Sequence, residues 1–178
     1  MNDRLFGYEA ESATGNYTVA ELRAMHEYGF ALSIRQRRVT GVRLYAHALG
    51  HVLLAIVGSR NFVWAAGIQQ VVKTIPQHVI VCSGDVKGVD TLAIDMAKKR
   101  GLRTIILPAQ WDLHGRSAGA IRNHELVTMA DYVIAFWDGE SRGTEHRIRL
   151  ARLQAKLLTV ISDRDESLRS YDDYVKGK

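Results

Sequence analysis

Short apolar runs alternate with amphipathic stretches between residues 51 and 162, and this rhythm constrains the fold more than any other feature. Val52-Leu53-Leu54-Ala55-Ile56-Val57 is continuously apolar and stops at Gly58. Such a run predicts a strand buried on both faces. A helix is predicted from Val63 to Thr74, ended by Pro76. His78–Cys82 is the second predicted strand, stopped at Ser83-Gly84. Val89–Arg100 follows as a helix with Leu92, Ala93, Met96 and Ala97 on one face and Gly101 as its C-cap. Arg103–Leu107 predicts a third strand, Ser117–Ala130 a helix and Asp131–Trp137 a fourth strand. Residues 144–155 predict a further helix, and Leu157–Ile161 a fifth strand. Strand and helix in strict alternation imply an α/β fold, a Rossmann-like doubly wound parallel sheet. Right-handed crossovers make 3-2-1-4-5 the expected strand order.

This places the chain in three parts. Residues 1–50 form an N-terminal extension, 51–162 the Rossmann-like domain and 163–178 a charged C-terminal tail. In the extension, Thr18-Val19-Ala20-Glu21 has capping-box spacing and predicts a short helix to about Tyr28. Phe30, Leu32 and Ile34 alternate, as do Val42 and Leu44. A β-hairpin fits this pattern, and so does a strand followed by a helix through Tyr45 and His47. Arg35, Arg37, Arg38 and Arg43 cluster in the same stretch.

Composition narrows the setting. The chain has 24 Lys and Arg against 19 Asp and Glu, a net charge of +5. That balance suits an anionic partner such as phosphate, nucleotide or nucleic acid without choosing among them. The single cysteine, Cys82, allows no internal disulfide and reads as a small buried hydrophobe. The longest apolar run falls far short of the roughly 20 residues of a membrane helix. With no apolar segment at the N-terminus, a cytoplasmic protein without membrane contact is expected.

In a doubly wound sheet, ligands bind beyond the carboxyl ends of the strands, where the strand order reverses. Four loops lie there. Gly58-Ser59-Arg60 follows the first strand; its glycine permits a tight turn and its arginine can fork onto phosphate. Ser83-Gly84-Asp85-Val86-Lys87-Gly88-Val89-Asp90 follows the second, with the layout of a phosphate or ribose cradle. Asp90 near the helix start suits either a cap or a ligand contact. The third loop carries Trp111, His114, Gly115, Gly119, Arg122 and Asn123. It exceeds the about 2–6 residues of an ordinary connection, and Trp111 could stack on a base. After the fourth strand come Gly139, Arg142, Gly143 and Thr144 at a helix start. The zinc spacings, the P-loop, the nucleophile elbow and the dinucleotide glycine pattern are all missing, so no metal or cofactor is assigned. A nucleotide-like ligand is expected.

Taken together, Gly58-Ser59-Arg60, Ser83-Gly84 with Gly88 and Asp90, Ala109 with Trp111, Gly115 with Ala118-Gly119 and Arg122-Asn123, Ala130-Asp131, Ala135-Phe136 and Gly143-Thr144 resemble the YspA-like branch of the SLOG superfamily. The resemblance covers about residues 52–161. It implies a Rossmann-like fold and a nucleotide-derived ligand, ADP-ribose-like, NAD-derived or a nucleotide sugar, that is bound or sensed. Relatives include the Lonely Guy phosphoribohydrolases and the single-strand DNA-binding DprA proteins, many of them oligomers. Two alternatives follow: a nucleotide N-glycosidase, and a DprA-like single-stranded DNA binder. For hydrolysis, Glu145, Asp85 and His114 are the candidate catalytic residues. The Lonely Guy pattern carries a glutamate three residues beyond its threonine, where this chain has Arg147.

Overall fold

The computed structural model describes residues 34–162. The tail from 163 and the helix expected from Thr18 to Tyr28 lie outside them. Helix α1 (Ile34–Ala48) comes first. Then follow β1 (Val52–Gly58), α2 (Ala65–Thr74), β2 (Val79–Gly84), α3 (Val89–Lys99) and β3 (Thr104–Leu107). A short helix α4 (Trp111–His114) and a 3-10 turn at Gly115–Ser117 lead into α5 (Ala118–Met129). The chain continues through β4 (Tyr132–Trp137), α6 (Arg142–Leu153) and β5 (Leu157–Ser162). Val42 and Leu44, whose alternation also fits a hairpin, lie on α1 together with Ile34, while Phe30 and Leu32 lie outside the described residues.

The five strands form one sheet in the order β3-β2-β1-β4-β5, with every neighbouring pair parallel. Strand periodicity sorts the core into two layers. Leu53, Ala55 and Val57 of β1 point to one face, where they meet Val39 and Ala46 of α1, Leu126 and Met129 of α5, and Ile148 and Ala151 of α6. Leu54 and Ile56 point to the other, against Ile68 and Val72 of α2 and Ala93, Ile94 and Ala97 of α3. Phe62 meets Phe136 edge-on, with ring centroids 5.4 Å apart, and closes this second layer beside the site. Cys82 is fully buried, and burial pushes its thiol pKa up, so it packs as a hydrophobe. No helix among the described residues is long and apolar enough to cross a membrane.

α1 is held by more than apolar contact. Asp131, at the start of β4, accepts hydrogen bonds from the Leu53 amide (2.9 Å) and from Arg43 Nε (3.0 Å), and its Oδ2 lies 2.7 Å from His47 Nε2. Burial raises the Asp131 pKa, but the Leu53 amide, the His47 ring and the Arg43 guanidinium outweigh it and hold the carboxyl below its usual range. Lys156 donates to the carbonyls of Val127 (2.9 Å) and Thr128 (2.6 Å), satisfying the orphaned end of α5.

Candidate functional site

All four sequence-flagged loops reach the same edge, because a parallel sheet puts every strand's carboxyl end on one side. What they do there differs from a cradle of glycine amides. A Cβ on Gly58 would lie 2.5 Å from the Phe136 carbonyl and 2.6 Å from Val89 Cγ2. A Cβ on Gly88, whose φ is +101°, would lie 2.5 Å from the Arg60 carbonyl. Both glycines are needed so that neighbouring protein segments can touch, and no ligand has to be invoked for them. The amides are also engaged. Gly58 N–H donates to Asp90, Ser59 N–H to the Phe136 carbonyl and Val89 N–H to the Ser59 carbonyl. Glu140 and Ser141 amides both donate to Asp138 Oδ1, and Ser141 Oγ caps α6 by accepting from Thr144 N–H. Those two amides, set against burial, hold the Asp138 pKa below the ordinary carboxylate range.

Asp90 is 1% exposed, and its partner is Arg147. Arg147 Nη1 reaches both Asp90 oxygens, at 3.0 and 2.8 Å, while Nη2 donates to the Gly58 carbonyl at 2.7 Å. Asp90 Oδ1 in turn accepts from Gly58 N–H at 3.1 Å. The pair therefore grips both polar groups of one backbone residue at the end of the central strand. Among the described residues Arg147 Nε is buried without a partner, a cost of about 1–3 kcal/mol that the other bonds must offset. The arginine that stands where the hydrolase pattern has glutamate is thus part of the framework. Asp90 serves neither as a solvent-facing cap nor as an open ligand contact.

Ser59, Ser83 and Thr144 are also buried and internally bonded. Ser59 Oγ–H donates to Thr144 Oγ1 (3.3 Å), Thr144 Oγ1–H to Ser141 Oγ (3.1 Å) and Ser83 Oγ–H to the Ile56 carbonyl (2.6 Å). Arg122, 4% exposed, lies under Gly84, where a Cβ would run into its guanidinium. It donates from Nη1 to Asp85 Oδ1 (2.7 Å) and the Leu107 carbonyl (3.3 Å), and from Nε to Asn123 Oδ1 (3.2 Å).

The outward-facing residues are Arg60, Lys87, Arg116 and Arg142, one exposed cation from each of the four loops, with Asp112 and Glu145 among the exposed acids. Trp111 is 58% exposed and Leu113 71%. A Cβ on Gly119 would make only an ordinary contact, at 3.5 Å, with the Trp111 ring. Nothing crowds Gly115 or Gly143, and Gly139 turns with φ +81°. Of the candidate catalytic residues, Asp85 is engaged by Arg122, while Glu145 and His114 are exposed, and no hydrogen bond joins any two of them. Among the described residues no three His, Cys, Asp or Glu side chains are grouped to hold a metal.

No family model matches the chain. The Gene 61 protein of Mycobacterium phage D29 is 33% identical over 99 residues, which span 52% of this chain and 78% of the phage protein. The chain belongs to the family of that Gene 61 protein. Among solved structures it resembles DNA processing protein A (DprA) of Streptococcus pneumoniae, with a TM-score of 0.52 and 20% identity, covering 64% of this chain and 50% of that one. DNA processing protein A of Helicobacter pylori, described for its single-stranded DNA binding mode, superposes with a TM-score of 0.46 and 19% identity, covering 62% of this chain and 64% of that one. The chain thus spans about half the length of the S. pneumoniae protein. The likeness to the S. pneumoniae protein is one of fold.

Proposed function

We propose that the carboxyl edge of the sheet binds single-stranded nucleic acid through its phosphates, and that the protein is a SLOG-type binding module of the YspA-like kind. The observation that carries this is the set of four exposed cations, Arg60, Lys87, Arg116 and Arg142, on four successive loops beside the exposed ring of Trp111. Dispersed cations follow a phosphate backbone, and an exposed indole offers a platform on which a base can stack. The charge distribution supports the same reading. Residues 34–162 carry 18 Lys and Arg against 9 Asp and Glu, whereas the rest of the chain has 6 against 10. The basic excess belongs to the domain that holds the edge. The S. pneumoniae neighbour, a DNA processing protein, adds the weight of a shared fold and no more.

Anisotropy titration with a labelled single-stranded oligonucleotide at several salt concentrations tests this. Affinity should fall with salt at a slope of about −0.7 per phosphate contacted. Each of Arg60→Ala, Arg116→Ala and Arg142→Ala should flatten that slope, and Trp111→Ala should weaken binding by about 1–3 kcal/mol with the slope unchanged. Salt-insensitive binding that survives the combined arginine variant would refute the reading.

A nucleotide-derived small ligand is the second reading, favoured by the open space at Gly143 beside the first turn of α6. Displacement of the oligonucleotide by stoichiometric ADP-ribose, NAD or a nucleotide sugar would select it.

A further inference from the structure

The two buried arginines at the edge differ in one respect that bears on ligand binding. Arg147 is paired with Asp90, and both side chains are closed off, at 5% and 1% exposure. Arg122 is equally buried at 5%, but its partner Asp85 is 38% exposed. Asp85 stands on the loop after β2, on the solvent side of the pair, and holds Nη1 with one oxygen at 2.7 Å. Among the described residues, the Arg122 guanidinium bonds through Nη1 and Nε and not through Nη2. The missing side chain at Gly84 is what lets the guanidinium sit there, and the Leu107 carbonyl and Asn123 Oδ1 keep it aimed. A cation fixed from behind by neutral acceptors and covered in front by a part-exposed carboxylate is arranged for exchange of one anion against another.

The geometry points to Asp85 as a built-in competitor for a phosphate on Arg122. In the free protein the carboxylate occupies the guanidinium. An incoming phosphate group, held over the edge by the exposed cations, replaces it and takes two parallel N–H···O bonds from Nη1 and Nη2. Asp85 then rotates towards water, which its exposure permits. The device sets a threshold: weak anions fail to displace the carboxylate, and phosphate succeeds only when other contacts hold it in place. This inference rests on the reading of the edge as a phosphate-binding site, and it adds a buried contact that the exposed cations do not supply.

Asp85→Asn tests it, because asparagine keeps an acceptor for Arg122 and removes the charge that competes. Two measurements on the full chain separate the outcomes: anisotropy with a labelled single-stranded oligonucleotide, and thermal shift with inorganic phosphate and pyrophosphate. Asp85→Asn should bind the oligonucleotide about 10-fold tighter, with a salt slope steeper by about 0.7 for one added phosphate contact. It should also gain a larger thermal shift from pyrophosphate than the parent. Adding Arg122→Gln should cancel both gains. A purely structural ion pair predicts the opposite pattern, a lowered melting temperature with affinity and slope unchanged, and that result would overturn the proposal while the exposed cations still bind. If no variant binds oligonucleotide but Asp85→Asn keeps its Arg122-dependent pyrophosphate shift, the competitor stands and the nucleic-acid reading falls. If neither probe responds, both fall.

Discussion

At the scale of single residues, the edge is built from ion pairs whose two halves have different uses. Arg147 and Asp90 hold the end of β1, and breaking a buried pair on one side leaves the other charge stranded at about 3–5 kcal/mol. Arg147→Ala should lose stability in that range by urea denaturation. Arg147→Lys should recover only part of it, since one ammonium does not reproduce the planar fork that reaches Asp90 and the Gly58 carbonyl together. Gly84→Ala should cost about 1–3 kcal/mol by overpacking, because its Cβ would strike the Arg122 guanidinium and lie 2.6 Å from Asp90 Oδ2. Arg147→Ala or Gly84→Ala matching the parent midpoint would contradict the assigned contacts. In the sequence Asp90 was recognisable as a residue at a helix start. Its partner was not, because Arg147 lies 57 residues away on another helix and joins it only once β1 and β4 have paired.

At the scale of elements, α1 is docked on the sheet through one charge as well as through apolar contact. Arg43, His47 and the Leu53 amide all converge on Asp131. The folded-state pKa of Asp131 is lowered, so the stability it contributes is full above its unfolded value of about 3.9 and is lost as pH falls through the folded value. Asp131→Asn should therefore be about 1–3 kcal/mol less stable than the parent near pH 6, and the gap should narrow as pH falls below the unfolded value of about 3.9 and through the lower folded one. Urea midpoints of both proteins from pH 2 to 6 measure this; a gap independent of pH would assign the loss to packing. The third loop shows the limits of pattern at this scale. Its unusual length marked it as functional, and the structure resolves the short helix α4 and a 3-10 turn within it. A four-residue helix leaves no periodic signal for a sequence reading to detect.

At the scale of the whole molecule, one sheet with two apolar layers decides where everything else sits. Val39 and Ala46 of α1 belong to the layer formed by α5, α6 and β1. A chain beginning at residue 51 should consequently expose that layer and aggregate or lose cooperative unfolding, as size-exclusion chromatography and circular dichroism would report. A truncated chain that melts cooperatively near the parent temperature would show that α1 is dispensable. The domain's charge is also a property of the whole. The basic excess of residues 34–162 is twofold in Lys and Arg over Asp and Glu, and salt dependence of binding should follow the domain and not the flanking segments.

The sequence by itself determined the strand–helix alternation, the parallel sheet, its 3-2-1-4-5 order and the four loops at its carboxyl edge. These follow from local hydrophobic periodicity and from the handedness of crossovers, both of which operate between neighbours in the chain. Only the tertiary structure decided which loop residues face outward. Ser59, Ser83, Asp90 and Thr144 look like ligand contacts when read along the chain, yet they are buried and bonded to groups brought in from elsewhere in the fold. Arg60 and Arg142 already read as ligand candidates along the chain, whereas Lys87 and Arg116 do not stand out there, and the four become a set only when parallel pairing aligns their loops. Burial and pairing across long sequence separations are consequences of packing, and packing is not written in any one stretch of the chain.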